Sequence, residues 1–596
     1  MKYRFLYVIP IIVLLVLIYI FYPRTIENGV IVSKNSNSFE IYTKGELKTI
    51  PNTNSKVAKF QVVNCKYNKL LTYKVHIKEP YSNRVMLKSS DKYELEHIGN
   101  INLNKKTYYY KIDSNNEIHS CTSKDLIIGK NNNKSYPDKN GFLHTFLIYP
   151  IDYSKIRVAI SDSSFTSIYH KKLTIKPSSQ TKLINFEKPY SCKIEKDSEI
   201  VIEFNDGHIN IDINEEKMSF DSRIYLKGNS FIINEITRGW PRFNAEYKDT
   251  IELFPTDKGI ILINELPTEE YLNRVVPSEM PTTGGLQSLK CQAVAARTYA
   301  ISDMLNNRYA KLGFHVDDST KSQVYNNTLP KELTSKAVKE TEGEILIYNN
   351  KPIDAKYYST SCGYGTDFKN IWFRSDGSSS DVPYLSINDF MESKIFRPET
   401  EVEWLEFFKD TELESYDKIS PYFRWNVIYP KDLLEMNLKI SLLDRFNKSR
   451  DFVKILVKGK EIERFPKEIG NLQNILVTKR SSGGNIIEIS FVFRKATINI
   501  RKDNNVRRCF NDAHDISDTR INIERGENNP LKIWDTLPSS FFSIQKTNDS
   551  FIVYGGGFGH GVGMSQYGTM YLSKNNYKYD YILKYYYKGT NIVEVY

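Results

Sequence analysis

The stretch "PTEEYLNRVVPSEMPTTGGLQSLKCQAVAARTYAISDMLNN", Pro267 to Asn307, is where the pattern of the chain changes. Upstream, "EIVIEFNDGHINIDI" and "DTIELFPTDKGIILINEL" alternate apolar and polar residues with period two and stop at Pro267, as strands do. From Thr268 the pattern turns helical. Thr268 reads as an N-cap with Glu269 and Glu270 in the first turn of a short helix. The segment "GGLQSLKCQAVAARTYAISDMLNN" then carries Leu286, Leu289, Ala293, Ala296, Ala300 and Met304 at three- and four-residue steps, the strongest helix signal in the chain. Between the two helices, Glu279 is flanked by Pro277, which fixes one backbone angle, and Pro281, which biases Met280 away from helix. That reads as a carboxylate held on a stiff turn. Strands return at "GEILIYNNKPIDAKYYS", with a hairpin turn at Asn349 and Asn350. The expected class is α+β, a β-rich N-terminal region followed by a mixed domain.

At 596 residues the chain is too long for one hydrophobic core, and about two to four domains are expected. Hydrophobic and charged fractions of 40% and 26% are those of a folded protein. The formal net charge is +11, but Lys and Arg are spread without a basic block or a nucleic-acid motif, which argues against DNA or RNA as partners. A leader, residues 1–4, precedes an apolar run from Phe5 to Tyr22, interrupted only by Pro10, within an anchor segment 5–23. A bilayer core takes roughly 20 apolar residues, about 17 at the short end, and no small-x-small cleavage pattern follows. The run therefore reads as an uncleaved, single-pass transmembrane signal anchor, with a cytoplasmic leader and the bulk of the chain outside the cytoplasm. Residues 24–195 read as a β-rich region without a catalytic constellation. The six cysteines are far apart, so disulfide staples are not expected to hold the fold. No Cys/His group has metal-ligand spacing, so no metal or other cofactor is expected.

Chemistry concentrates in two later stretches. "GGGFGHGVGMSQYG", Gly555 to Gly568, contains neither GxxxxGK[ST] nor G-x-G-x-x-G, which excludes a nucleotide cradle of either kind. It leaves a loop presenting His560, followed by Ser565 as the N-cap of a helix carrying Gln566 and Tyr567. "YYSTSCGYGTDFKNIWF", from Tyr357, offers Ser359, Ser361 and Cys362. A Cys362 nucleophile with His560 as base is one chemistry to weigh. Nothing nearby in sequence would lower that thiol's pKa, and an exposed thiol oxidises readily. "DDSTKSQVYNN" places Gln323 and Tyr325 after an acidic turn.

Taken in order, "LINELPTEEYLNRVVPSEMP", "LKCQAVAARTYA", "DSTKSQVY", "YYSTSCGYGTDFKNIWF" and "GGGFGHGVGMSQYG" together resemble the SpoIID/LytB family. That family is named for the stage II sporulation protein D and the amidase enhancer. The resemblance covers 196–596, closest at 259–389 and 551–593, with a divergent stretch at 390–540. It implies a membrane-anchored or exported protein acting on bacterial peptidoglycan. Sporulation members are lytic transglycosylases that cut glycan strands already stripped of stem peptides by a partner amidase, during engulfment. The family's catalytic acid is the glutamate of "PSEMP", here Glu279. The resemblance also points to Ser278, Arg297, Gln323, Tyr325, Ser359, Ser361, His560, Ser565, Gln566 and Tyr567 as substrate-binding residues. Where family members often carry a tryptophan and an acidic residue ahead of the long helix, this chain has "TTGGLQS", a departure expected either to alter substrate contacts or to loosen the helix start. Some members bind zinc through extra His and Cys in the serine loop. Only Cys362 remains here, so no zinc is implied. The alternative function is a non-catalytic enhancer that binds the wall and stimulates an amidase.

Overall fold

The computed structural model describes residues 4–596 except 52–55, 82–83, 393–396, 514–515, 517–519, 527–528 and 533, with side chains described from Ile9 onward. The chain divides into two compact units. The first comprises Met1–Val275 with Ala300–Thr328, and the second Val276–Tyr299 with Leu329–Val595.

The first unit is built on three sheets of five, six and twelve strands. In the largest, the long strands Ile224–Arg238 and Phe243–Pro255 pair antiparallel, and Ile260–Pro267 continues the sheet as a nearly fully buried strand. Lys155–Ala159 pairs with Ile260–Pro267, and Thr181–Asn185 pairs with Ile224–Arg238. The boundary expected near residue 195 therefore falls inside a single sheet. Five strands between Lys155 and Ile194 belong to the same twelve-stranded sheet, whereas the strands between Arg24 and Ile148 make up the five- and six-stranded sheets. A buried ion network adds to this. Arg157 bonds both carboxylate oxygens of Glu252, at 2.9 and 2.8 Å, and also pairs with Glu265. Arg84 bridges Glu96 at 2.9 Å and Glu265, while Arg223 bridges Glu94 and Glu252. Buried charges persist only when compensated in this way.

The second unit is α+β. Cys291, Val294 and Ala295 pack with Leu346, Ile353, Ile582, Leu583, Tyr586 and Tyr587 in one core. A separate core gathers Trp425, Leu434, Ile489, Phe491 and Val553. The expected hairpin turn is present, with Glu344–Tyr348 pairing Lys351–Pro352 and both Asn349 and Asn350 at positive φ (50° and 59°).

Helix α1, Arg4–Phe21, lies in the run expected to span a membrane. Among the described residues no helix is long and apolar enough to cross a membrane. The expected span is unsupported to that extent. Residues 1–3, and the side chains of 4–8 that complete the leader and the span, lie outside the described residues. Helix α2, Thr268–Glu279, corrects two further expectations. Thr268 is its first residue rather than its cap, with its hydroxyl donating to the Tyr153 carbonyl at 2.6 Å. The helix also continues through Pro277, so Glu279 is its last residue rather than part of a free turn. Helix α3, Leu286–Leu305, runs as the apolar stripe requires, but it is buried on nearly every face. It begins at Leu286, directly after the two glycines. A Cβ at Gly284 would overlap the Met570 side chain, so the position is glycine because another helix packs against it.

Candidate active site

Glu279 is half-buried at the end of α2, with Val276 and Met280 buried beside it. The Tyr357 hydroxyl donates to its Oε1 at 3.0 Å. Tyr357 sits on β1, Tyr357–Tyr358, which pairs parallel with β2, Met564–Ser565 (Tyr357 with Met564, Tyr358 with Ser565). This short ladder joins the serine loop to the glycine loop. The Thr360 and Phe558 amides each donate to the other's carbonyl, at 3.1 and 2.8 Å, and the Tyr567 amide donates to the Ser359 carbonyl at 3.1 Å. Glycines make the approach possible. A Cβ at Gly563 (φ +78°) would overlap the Lys356 carbonyl oxygen, and one at Gly557 (φ +80°) would stand 2.8 Å from that of Thr360.

His560 holds this junction from within. Its Nδ1 accepts the Val562 amide at 3.1 Å, and the ring also hydrogen-bonds the Tyr357 backbone. The imidazole packs against Trp372 (centroids 5.0 Å apart) and Tyr358 (5.5 Å). Burial, with help from the Lys356 and Arg507 charges, pushes its pKa down to about 3, so the ring is neutral at physiological pH. It acts as a clasp on the strand that carries Tyr357.

The expected substrate-binding residues separate by exposure. Ser278, Ser359, His560 and Tyr567 are half-buried in the second unit. Arg297, Ser361, Ser565 and Gln566 are buried, with their polar groups engaged inside the protein. Arg297 donates to the Glu344 carbonyl at 3.1 Å, and Gln566 donates to the Gln292 side chain at 3.3 Å. The Ser361 hydroxyl oxygen accepts the Gly363 amide at 2.8 Å. Ser565 does cap α4, Gln566–Lys574, by accepting the Gly568 amide, as its sequence position suggests. Gln323 and Tyr325 lie in the core of the first unit, where they bond Tyr271 (2.9 Å) and Asn264 (3.1 Å). Cys362 is also buried, which raises its thiol to about 11 and leaves it unsuited to nucleophilic attack near neutral pH.

Two residues escaped the sequence reading. Tyr357 was inside a quoted motif, but nothing in the sequence marks which of two adjacent tyrosines faces a carboxylate. Asp417 lies in "SYDKISPYF", which carries only turn chemistry. It is fully buried beneath the serine loop. Among the described residues, one group has spacing for a metal, Asp113, Glu117 and His119, in a largely exposed position in the first unit.

Residues 256–348 match the family model for the stage II sporulation protein, SpoIID. The amidase enhancer of Bacillus subtilis (strain 168) is 27% identical over 323 residues, 54% of this chain and 40% of that protein. An uncharacterised protein of Brachyspira hyodysenteriae is 30% identical over 420 residues, 69% of this chain and 89% of its own. The stage II sporulation protein D of Bacillus subtilis is 28% identical over 347 residues, covering 56% and 76%. The chain belongs to the SpoIID family. It spans less than half the length of the amidase enhancer that it matches.

Proposed function

We propose that this protein is a lytic transglycosylase that cuts peptide-stripped peptidoglycan glycan strands outside the cytoplasm, in concert with a cell-wall amidase, in sporulation. The observation that carries the reading is the half-buried Glu279 carboxylate, fixed at 3.0 Å by the Tyr357 hydroxyl.

Ordinary glycosidases use two carboxyl groups, about 5–5.5 Å or about 6.5–9.5 Å apart. A lytic transglycosylase needs one. Glu279 protonates the glycosidic oxygen as the bond to the anomeric carbon breaks. The muramic-acid 6-hydroxyl then attacks that carbon and gives its proton to the same carboxylate, closing a 1,6-anhydro ring. The group must serve as acid and then as base. The carbonyl end of α2 disfavours negative charge there, while the Tyr357 hydroxyl supports the carboxylate once its proton has left. Ser278, Ser359 and Tyr567 offer hydroxyls for sugar contacts.

Purified full-length protein should release anhydro-muropeptides or glycan fragments from peptide-stripped peptidoglycan. Glu279→Gln should abolish release while preserving glycan binding. The name of the relative called an amidase enhancer favours a second reading, a wall-binding protein that stimulates an amidase. Wild-type protein that binds glycan, releases nothing and accelerates an amidase would establish that reading instead.

A further inference from the structure

Asp417 is fully buried, and its Oδ1 accepts the Ser361 amide at 2.9 Å and the Ser565 hydroxyl. Its Oδ2 makes no hydrogen bond of good geometry among the described residues, while the Gly568 amide lies close enough to favour the charged carboxylate. A Cβ at Gly568 would overlap the Tyr586 hydroxyl and stand 2.9 Å from Oδ2, so the helix start is glycine where the phenol and the carboxyl both need room. From the same turn, the Ser420 hydroxyl bonds Thr360 Oγ1 at 2.7 Å. The titratable groups facing the carboxyl are the Tyr358 and Tyr586 phenols and the Cys362 thiol. Among the described residues no cation pairs with it.

We propose that Asp417 is a positioning residue for the candidate site: its buried carboxyl ties the Ser361 amide to the Ser565 hydroxyl, fixes β1 against β2, and so sets the Tyr357 hydroxyl on Glu279. The inference rests on the reading of the Glu279 site given above. The seat suits a neutral carboxyl. Its Oδ1 accepts the two donors, and the Tyr358 and Tyr586 phenols and the Cys362 thiol surround it. Burial accordingly raises Asp417 to about 7, against the pull of the Ser565 and Ser361 donors. An asparagine keeps the Oδ1 acceptor and a donor on the other side, whereas alanine keeps neither.

The test uses the full-length protein and three readouts: glycan release between pH 5 and 9, binding of the same glycan, and hydrogen exchange at amides 358–363 and 565–568. Asp417→Asn is expected to stay within about threefold of wild type at pH 6 and to lack the loss of activity that wild type shows above neutrality. Asp417→Ala is expected to lose about tenfold or more in kcat, with KM less affected and exchange faster at Ser361 and Gly568. Should Asp417→Ala fail to fold, Ser565→Ala, which removes one of the two donors, is expected to speed exchange across the same amides. The proposal is overturned if Asp417→Ala matches wild type in release and exchange, if Asp417→Asn falls as far as alanine, or if the asparagine variant keeps the wild-type pH profile. Wild-type protein that binds but never cuts would sink the transglycosylase reading alone; exchange and binding would still decide the role of Asp417.

Discussion

Tyr357 is the residue on which the site's geometry turns. A hydrogen bond to a charged group contributes about 1.5–3 kcal/mol, so Tyr357→Phe is expected to lower glycan release by roughly tenfold or more. Glycan binding should fall far less, because the lost contact is to the carboxylate. Equal losses in binding and release would mean that Tyr357 contacts the sugar instead. His560 is the contrasting case. Both ring nitrogens serve the backbone, and with its pKa near 3 the imidazole does not titrate near neutral pH. Cys362→Ala should leave release within about twofold of wild type, since the buried thiol at about 11 stays protonated. Loss of activity in that variant would revive a cysteine mechanism.

At the scale of elements, the β1–β2 ladder exists because glycines let one backbone lie on another. Gly563→Ala would combine a positive φ with an overlap at the Lys356 carbonyl, and should cost on the order of 1–3 kcal/mol, read as a fall in the unfolding midpoint of the second unit. A neutral result would mean that the ladder tolerates separation. The sequence made several elements legible. The stripe on α3, the Asn349–Asn350 turn and the Ser565 cap all follow from local chemistry, which depends on residues within a few positions of one another. Burial of Gln323, Tyr325, Arg297 and Gln566 was not legible, because a polar residue in a family motif looks the same whether it faces a ligand or a neighbouring helix. Asp417 was hidden for a related reason. Its partners, Ser361 and Ser565, are distant in sequence, and only the fold brings the three together.

At the scale of the whole molecule, the twelve-stranded sheet takes in residues on both sides of position 195. A chain starting at residue 196 would lack the strands that pair with Ile260–Pro267 and Ile224–Arg238, and it should be insoluble or show no protected amides in the first unit. A soluble, protected fragment would show that the earlier strands are dispensable. The two units should also answer pH with opposite sign. Burial alone would raise Glu265, but Arg84 and Arg157 outweigh it and hold the group at about 2. Its contribution is therefore present above the unfolded value of about 4.3 and is lost as pH falls toward 2. Asp417 is raised to about 7, so its contribution is present below the unfolded value of about 3.9 and is lost as pH rises toward 7. Hydrogen exchange on the full chain can follow each unit separately. Lowering pH from 7 to 5 should strengthen protection in the second unit, and going from 4.5 to 2.5 should weaken it in the first. The same direction of change in both units across both intervals would contradict the assignment of Glu265 and Asp417 as the governing groups.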